Sequence, residues 1–82
     1  MAQTSSGGDR GRVLFVQQCG SCHKLSDAGT PGIVGKDLDG VRPSYGDVLT
    51  AIVDGPGTMP EALVTGRDAR AVAAYVARVA GR

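Results

Sequence analysis

Apolar positions along this chain fall into helical register in three places. Between Asp9 and about Gly20, the residues Gly11, Leu14, Phe15, Gln18, Cys19 and Cys22 recur at offsets of three and four. That spacing predicts one face of a helix ending at the cysteines. In PSYGDVLTAIVDG, Ser44 stands as an N-cap with Asp47 three residues on. Val48, Leu49, Ile52 and Val53 then share a side, and Gly55 stops a short second helix. The stretch TGRDARAVAAYVARVAG opens with Thr65 and Asp68 in capping-box positions and carries Ala69, Val72, Ala73, Val76 and Ala80 at helical spacing before Gly81.

What lies between is different. SDAGTPGIVGKDLDG shows no period and is punctuated by Gly29, Pro31, Gly32, Gly35 and Gly40, so it reads as a long turn-rich loop. A loop of that length in a compact domain is usually functional or wrapped on a ligand. PGTMPE is a second loop, bracketed by Pro and Gly, that holds Met59 between Thr58 and Pro60. No segment alternates convincingly as a strand. The pattern predicts an all-α domain over residues 9–82, preceded by the polar MAQTSSGG, residues 1–8, as a disordered tag or linker.

Composition changes this picture in one respect. At 82 residues the chain buries only about 60% of the surface its unfolded form exposes. Aromatic residues make up 4% of it, with no Trp, so large side chains do not supply the missing apolar mass. Small domains in this position add disulfides, a metal or a cofactor. Nine Lys and Arg against eight Asp and Glu leave a formal charge of +1, far from the basic excess of a nucleic-acid binder. The apolar runs are too short for a transmembrane helix or a signal-peptide core.

The chemistry concentrates in Cys19-Gly-Ser-Cys22-His23. A disulfide between residues so close constrains the unfolded chain little. A thioredoxin-like pair should follow a strand and open a helix, whereas this one closes a helix. Structural zinc wants four ligands, and two Cys with one His leave a carboxylate such as Asp27 to complete the set. Covalent haem fits the motif directly. Two thiols one turn apart reach two vinyl groups on one porphyrin edge, and the next imidazole faces the iron. A thioether is a common sixth ligand in cytochromes. Met59 sits in a polar loop where a core-filling Met would be unusual, and is the favoured axial partner of His23.

From Asp9 to Gly81 the chain resembles a small class I, bacterial monohaem c-type cytochrome. Gly11, Phe15 and Cys19 follow at intervals of four like that family's N-terminal helix. CGSCH matches the attachment motif, GKDLDG resembles the family's Gly-Pro-Asn-Leu-x-Gly, and GTMP precedes a last helix bearing Tyr75. The resemblance implies the cytochrome c fold, short helices and loops wrapped around one covalent haem c. It implies thioethers at Cys19 and Cys22 and iron ligation by His23 and Met59. Lys36 replaces the family's proline, whose carbonyl accepts the proximal histidine's proton, so Lys36 C=O is expected to take that bond. The family's propionate-bonding Trp is absent, which leaves Arg42 and Tyr45 as candidates, each with a solvated surface role as its alternative. Leu38, Val48, Ile52, Leu63 and Val76 are expected to touch the haem.

The implied function is one-electron transport rather than enzymatic turnover. The alternatives are a ligand-binding or peroxidatic haem domain with a labile sixth ligand, or a relay domain of a larger oxidoreductase. Redox proteins are expected to dock transiently near Gly20, Ser21 and the GPGTMP loop. The N-terminal linker offers a tether to a membrane or larger oxidoreductase, and the protein is expected to be a monomer. Covalent haem of this type is attached outside the cytoplasm, which implies a periplasmic or other extracytoplasmic location.

Overall fold

The computed structural model describes residues 7–55, 59 and 63–81. Helix α1, Gly7–Gln18, begins two residues inside the stretch that composition assigned to the polar tail. It places Gly11 and Phe15 on its buried side, with Cys19 buried just past its end, and leaves Val13, Val16 and Gln17 exposed, as a period near 3.6 requires. A last helix α4, Gly66–Val79, lies across it with Ala69, Val72, Ala73, Tyr75 and Val76 buried. The α1–α4 crossing is the most extensive contact between elements of the fold. It depends on Gly11: a Cβ there would collide with the Ala71 carbonyl oxygen and lie 2.7 Å from Tyr75 Cβ.

Two predicted caps have different fates. Ser44 and Asp47 form the expected reciprocal box at the start of the helix Tyr45–Asp54, with Asp47 N–H donating to Ser44 Oγ at 3.1 Å and Ser44 N–H to Asp47 Oδ2 at 3.4 Å. Gly55 closes that helix in the left-handed conformation at φ 60°. Thr65 precedes α4 without any side-chain capping bond, contrary to the capping box its sequence suggests. Asp68 is engaged elsewhere, receiving Arg10 Nε at 2.8 Å and Nη2 at 2.7 Å on the same oxygen. A guanidinium is the stronger partner for a carboxylate than a neutral backbone amide.

The region read as one loop has more order than its sequence suggests. A two-residue antiparallel pair joins strand β1, Lys24–Leu25, to strand β2, Thr30–Pro31, around a single 3-10 turn at Ser26–Ala28. Two residues are too few for alternation to register as a strand. A one-turn helix α2, Leu38–Val41, follows, with the Asp37 carboxylate accepting from Asp39 and Gly40 N–H groups. The helix Tyr45–Asp54 is then α3, and it packs on α4. Phe15, Leu25, Ile52, Val72, Tyr75 and Val76 are the largest fully buried side chains. The Phe15 and Tyr75 rings meet tilted at 57° with centroids 6.2 Å apart, within the favourable range for aromatic pairs.

Candidate functional site

The end of α1 shapes the cysteine motif. Cys19 and Gly20 N–H groups both bond the Phe15 carbonyl, at 2.8 and 2.9 Å, and the Cys19 carbonyl then accepts from Cys22 and His23, both at 3.1 Å. The chain thus winds one further turn beyond the helix and sets Cys22 one turn on from Cys19. Both cysteines are free, Cys19 buried and Cys22 exposed. Burial, with a smaller contribution from neighbouring Cys22, pushes the Cys19 thiol up to about 11. A dithiol redox centre normally sits at a helix N-terminus, which lowers the thiol pKa, whereas this pair follows the C-terminal end of α1. Gly20 is buried against Thr30 and presents no surface of its own, unlike exposed Ser21.

His23 is held from behind. Its Nδ1 lies 3.0 Å from the Lys36 carbonyl oxygen. A carbonyl only accepts, so Nδ1 carries the proton and Nε2 keeps the lone pair. Gly35 N–H donates to the Cys22 carbonyl at 2.7 Å, and Thr30 Oγ1 donates to the His23 carbonyl at 2.9 Å. Glycine at 35 leaves room for the imidazole, because a Cβ there would lie 2.6 Å from His23 Nδ1 and closer still to the ring carbon Cε1, and the ring would have to shift.

Cys19, Cys22 and His23 line a cavity of about 620 Å³ together with Met59, in the size range of cofactor sites. Leu38, Val48, Ile52, Leu63 and Val76, the residues expected to meet a haem, all border it, and so does Lys36. Arg42 and Tyr45 do not border it. The Arg42 guanidinium turns away and donates from Nη2 to the Gly81 carbonyl at 3.1 Å, while the Tyr45 side chain is exposed. Thr58 and Pro60, which flank Met59, lie outside the described residues.

Sequence reasoning missed Gln18, Val34 and Asp47 as lining residues. Asp47 could be read only as a cap, which it also is, and Val34 sits in a stretch without period. It also missed Asp39, whose carboxylate accepts from Ser26 N–H, Ser26 Oγ and Gly81 N–H at 2.9, 2.8 and 2.9 Å. Those bonds, Gly81's foremost, hold the Asp39 carboxyl below its usual range. Tyr75 donates to Asp27 Oδ2 at 2.6 Å, and burial followed by that bond raises its hydroxyl pKa.

An apolar cavity bordered by two thiols, an oriented imidazole and a thioether fits a haem. The helical fold and this site define a c-type cytochrome, which carries covalent haem c and passes electrons to redox partners. The family model described as cytochrome c oxidase, cbb3-type, subunit III matches residues 7–76, and the chain belongs to that family. Among solved structures it is similar to the c-type cytochrome SorU from Sinorhizobium meliloti, at 40% identity and a TM-score of 0.86 over 93% of each chain. No curated protein matches it significantly.

Proposed function

We propose that the chain is a one-electron carrier cycling between Fe(III) and Fe(II), with Cys19 and Cys22 as thioether anchors and His23 and Met59 as the axial ligands. Haem c supplies, when bound, an iron that takes up and releases one electron. The chain's own residues do the rest. Lys36 C=O holds the His23 Nδ1 proton, which fixes the tautomer and raises the basicity of Nε2. Met59 offers a sulfur that favours the reduced state. Leu38, Val48, Ile52 and Val76 exclude water from the cavity, which disfavours the more highly charged ferric form and raises the potential.

The observation that carries this reading is the oriented His23 facing a cavity that Met59 also borders. With His23 and Met59 both holding the iron, no position would be left on it for a substrate, and the protein would act as a carrier rather than a catalyst. Partners meet it transiently, in the small-interface regime of about 1,200 Å² or less. The exposed Ser21 and Cys22, with Ile33 at 89% and Val34 at 69% exposure, offer such a surface. We place the protein outside the cytoplasm, in the periplasm where there is one, with the haem domain beginning at helix α1 rather than at residue 9 and the polar residues before it as a linker.

The test is a visible spectrum of the haem-loaded protein. Wild type should show the weak far-red band of a ferric iron–sulfur bond and should not bind CO rapidly when reduced. Met59→Ala should lose that band and gain CO binding, and haem should stay attached on a denaturing gel. A wild-type protein that binds CO rapidly and lacks the band is a ligand-binding or peroxidatic domain instead. The family's description as an oxidase subunit favours a second reading, an electron relay fixed in a larger oxidoreductase. Isolation from the native source at a mass well above 8.3 kDa, together with other redox subunits, would establish it.

A further inference from the structure

The segments 22–26 and 35–39 run side by side at a constant offset. Gly35 N–H meets the Cys22 carbonyl, His23 meets the Lys36 carbonyl, Lys24 Nζ lies 3.9 Å from Asp37, and Ser26 meets Asp39. These contacts differ in strength. The Lys24–Asp37 pair is half exposed on both sides and contributes little. The far end of the ladder is closed by Asp39 alone, through Oδ2 to Ser26 N–H and Oγ and through Oδ1 to Gly81 N–H. Gly81, in the left-handed conformation at φ 75°, is in turn held by Arg42 at its carbonyl.

A proline at position 36 would stiffen this strip by fixing its own φ. Lysine does not, so the strip needs an anchor elsewhere. We propose that Asp39 is the positioning residue that keeps the Lys36 carbonyl against His23, by tying the strip to Ser26 on one side and to the end of α4 on the other. This rests on the reading of His23 as an iron ligand. It assigns Asp39 a role in tuning the metal that its exposed, loop-like sequence context gives no hint of. Hydrogen bonds from Gly81 and Ser26 hold the Asp39 carboxyl below its ordinary range, consistent with an anion fully engaged in the folded protein.

The experiment uses the haem-loaded, reduced, diamagnetic protein and follows exchange of the His23 Nδ1 proton with solvent by NMR. In Asp39→Ala exchange should quicken by about tenfold, the scale of one lost hydrogen bond. The midpoint potential should rise, because a less basic imidazole stabilises the ferric state less. Ser26→Ala should move both in the same direction by less. Arg10→Ala, which breaks a pair between α1 and α4, should move neither. Exchange in Asp39→Ala as slow as in wild type overturns the proposal, and so does an equal change in Arg10→Ala. Should Asp39→Ala fail to fold, Asp39→Asn keeps one acceptor oxygen and is judged by the same exchange criterion. If wild type itself lacks haem-shifted His23 signals, the ligand assignment fails. Shifted signals with unaltered exchange in the variant remove only the role of Asp39.

Discussion

Where α1 crosses α4, the two backbones come together over Gly11, and Phe15, Val72, Tyr75 and Val76 fill the space beside it with almost no exposure. From Cys19 to Pro43 the chain does the reverse. It buries Cys19, Leu25 and Ala28 among its side chains, leaves Ile33 and Val34 exposed, and follows a path set by hydrogen bonds around a cavity. The first region is held mainly by apolar packing of the chain against itself, with Phe15, Val72 and Val76 also bordering the cavity. The second borrows its core from the cofactor, which answers the shortage of aromatic mass in so short a chain.

The difference is tested most severely by withholding haem. Without haem, the apolar walls of a cavity of about 620 Å³ lose the partner that covers them, in a chain too short to bury much apolar surface by itself. A Cys19→Ser, Cys22→Ser double variant without haem should therefore lose cooperative unfolding. Amide exchange should be fast throughout residues 19–55 while residual helicity persists in α1 and α4. A haem-free protein that melts cooperatively near the wild-type temperature would show that the loop region stands by itself.

Glycine substitutions separate the two regions next. Gly11→Ala drives a methyl into the Ala71 carbonyl and Tyr75, and overpacking against backbone should cost about 3 kcal/mol in chemical denaturation with the visible spectrum of the remaining folded protein unchanged. Gly35→Ala places its methyl on the His23 ring. It should cost less, about 1–2 kcal/mol, yet alter the visible spectrum and the potential of the haem-loaded protein. If the two variants shifted the spectrum alike, packing and ligand geometry would not be separable.

The same division explains what the sequence made legible. Helices α1, α3 and α4 were readable because each buries a stripe at fixed spacing, and Ser44, Asp47 and Gly55 mark the ends of α3 by local chemistry. Cys19, Cys22, His23 and Met59 were readable from a family pattern, and they border the cavity, as do Leu38, Val48, Ile52, Leu63 and Val76, the apolar residues expected to touch a haem. The β1–β2 pair and α2 were not, since elements of two and four residues leave no period. Arg42 was misplaced for a related reason. Its position suggests a propionate, but only the tertiary fold brings the Gly81 carbonyl within its reach. Asp68 left its cap because Arg10 arrives from 58 positions away.

Tyr75 joins the two regions through its bond to Asp27. Tyr75→Phe keeps the packing and should cost about 1 kcal/mol at neutral pH. The hydroxyl pKa is raised in the folded state above its ordinary 10, so the folded protein binds the proton more tightly than the unfolded chain does. Wild-type stability should therefore fall as pH rises beyond 10, and the advantage over Tyr75→Phe should shrink over the same interval. Denaturation curves from pH 8 to about pH 11 measure this, and a gap that widens with pH contradicts the assignment.

Arg10→Ala should have the smallest effect, and that is informative because the geometry looks strong. Two guanidinium nitrogens converge on one oxygen of Asp68 at 2.7 and 2.8 Å, linking the outer ends of α1 and α4. Both side chains are solvated, at 55% and 36% exposure, so water and salt screen the pair and side-chain ordering offsets much of its attraction. The loss should be about 0.5 kcal/mol and should vanish near 1 M salt, where the Debye length is about 3 Å. There is also a compensating release: Asp68, freed from Arg10, becomes available to the start of α4 where Thr65 now caps nothing. A salt-independent loss of 2 kcal/mol or more, on the scale of the Gly11 effect, would mean that the α1–α4 crossing depends on this polar clasp as much as on its buried seam.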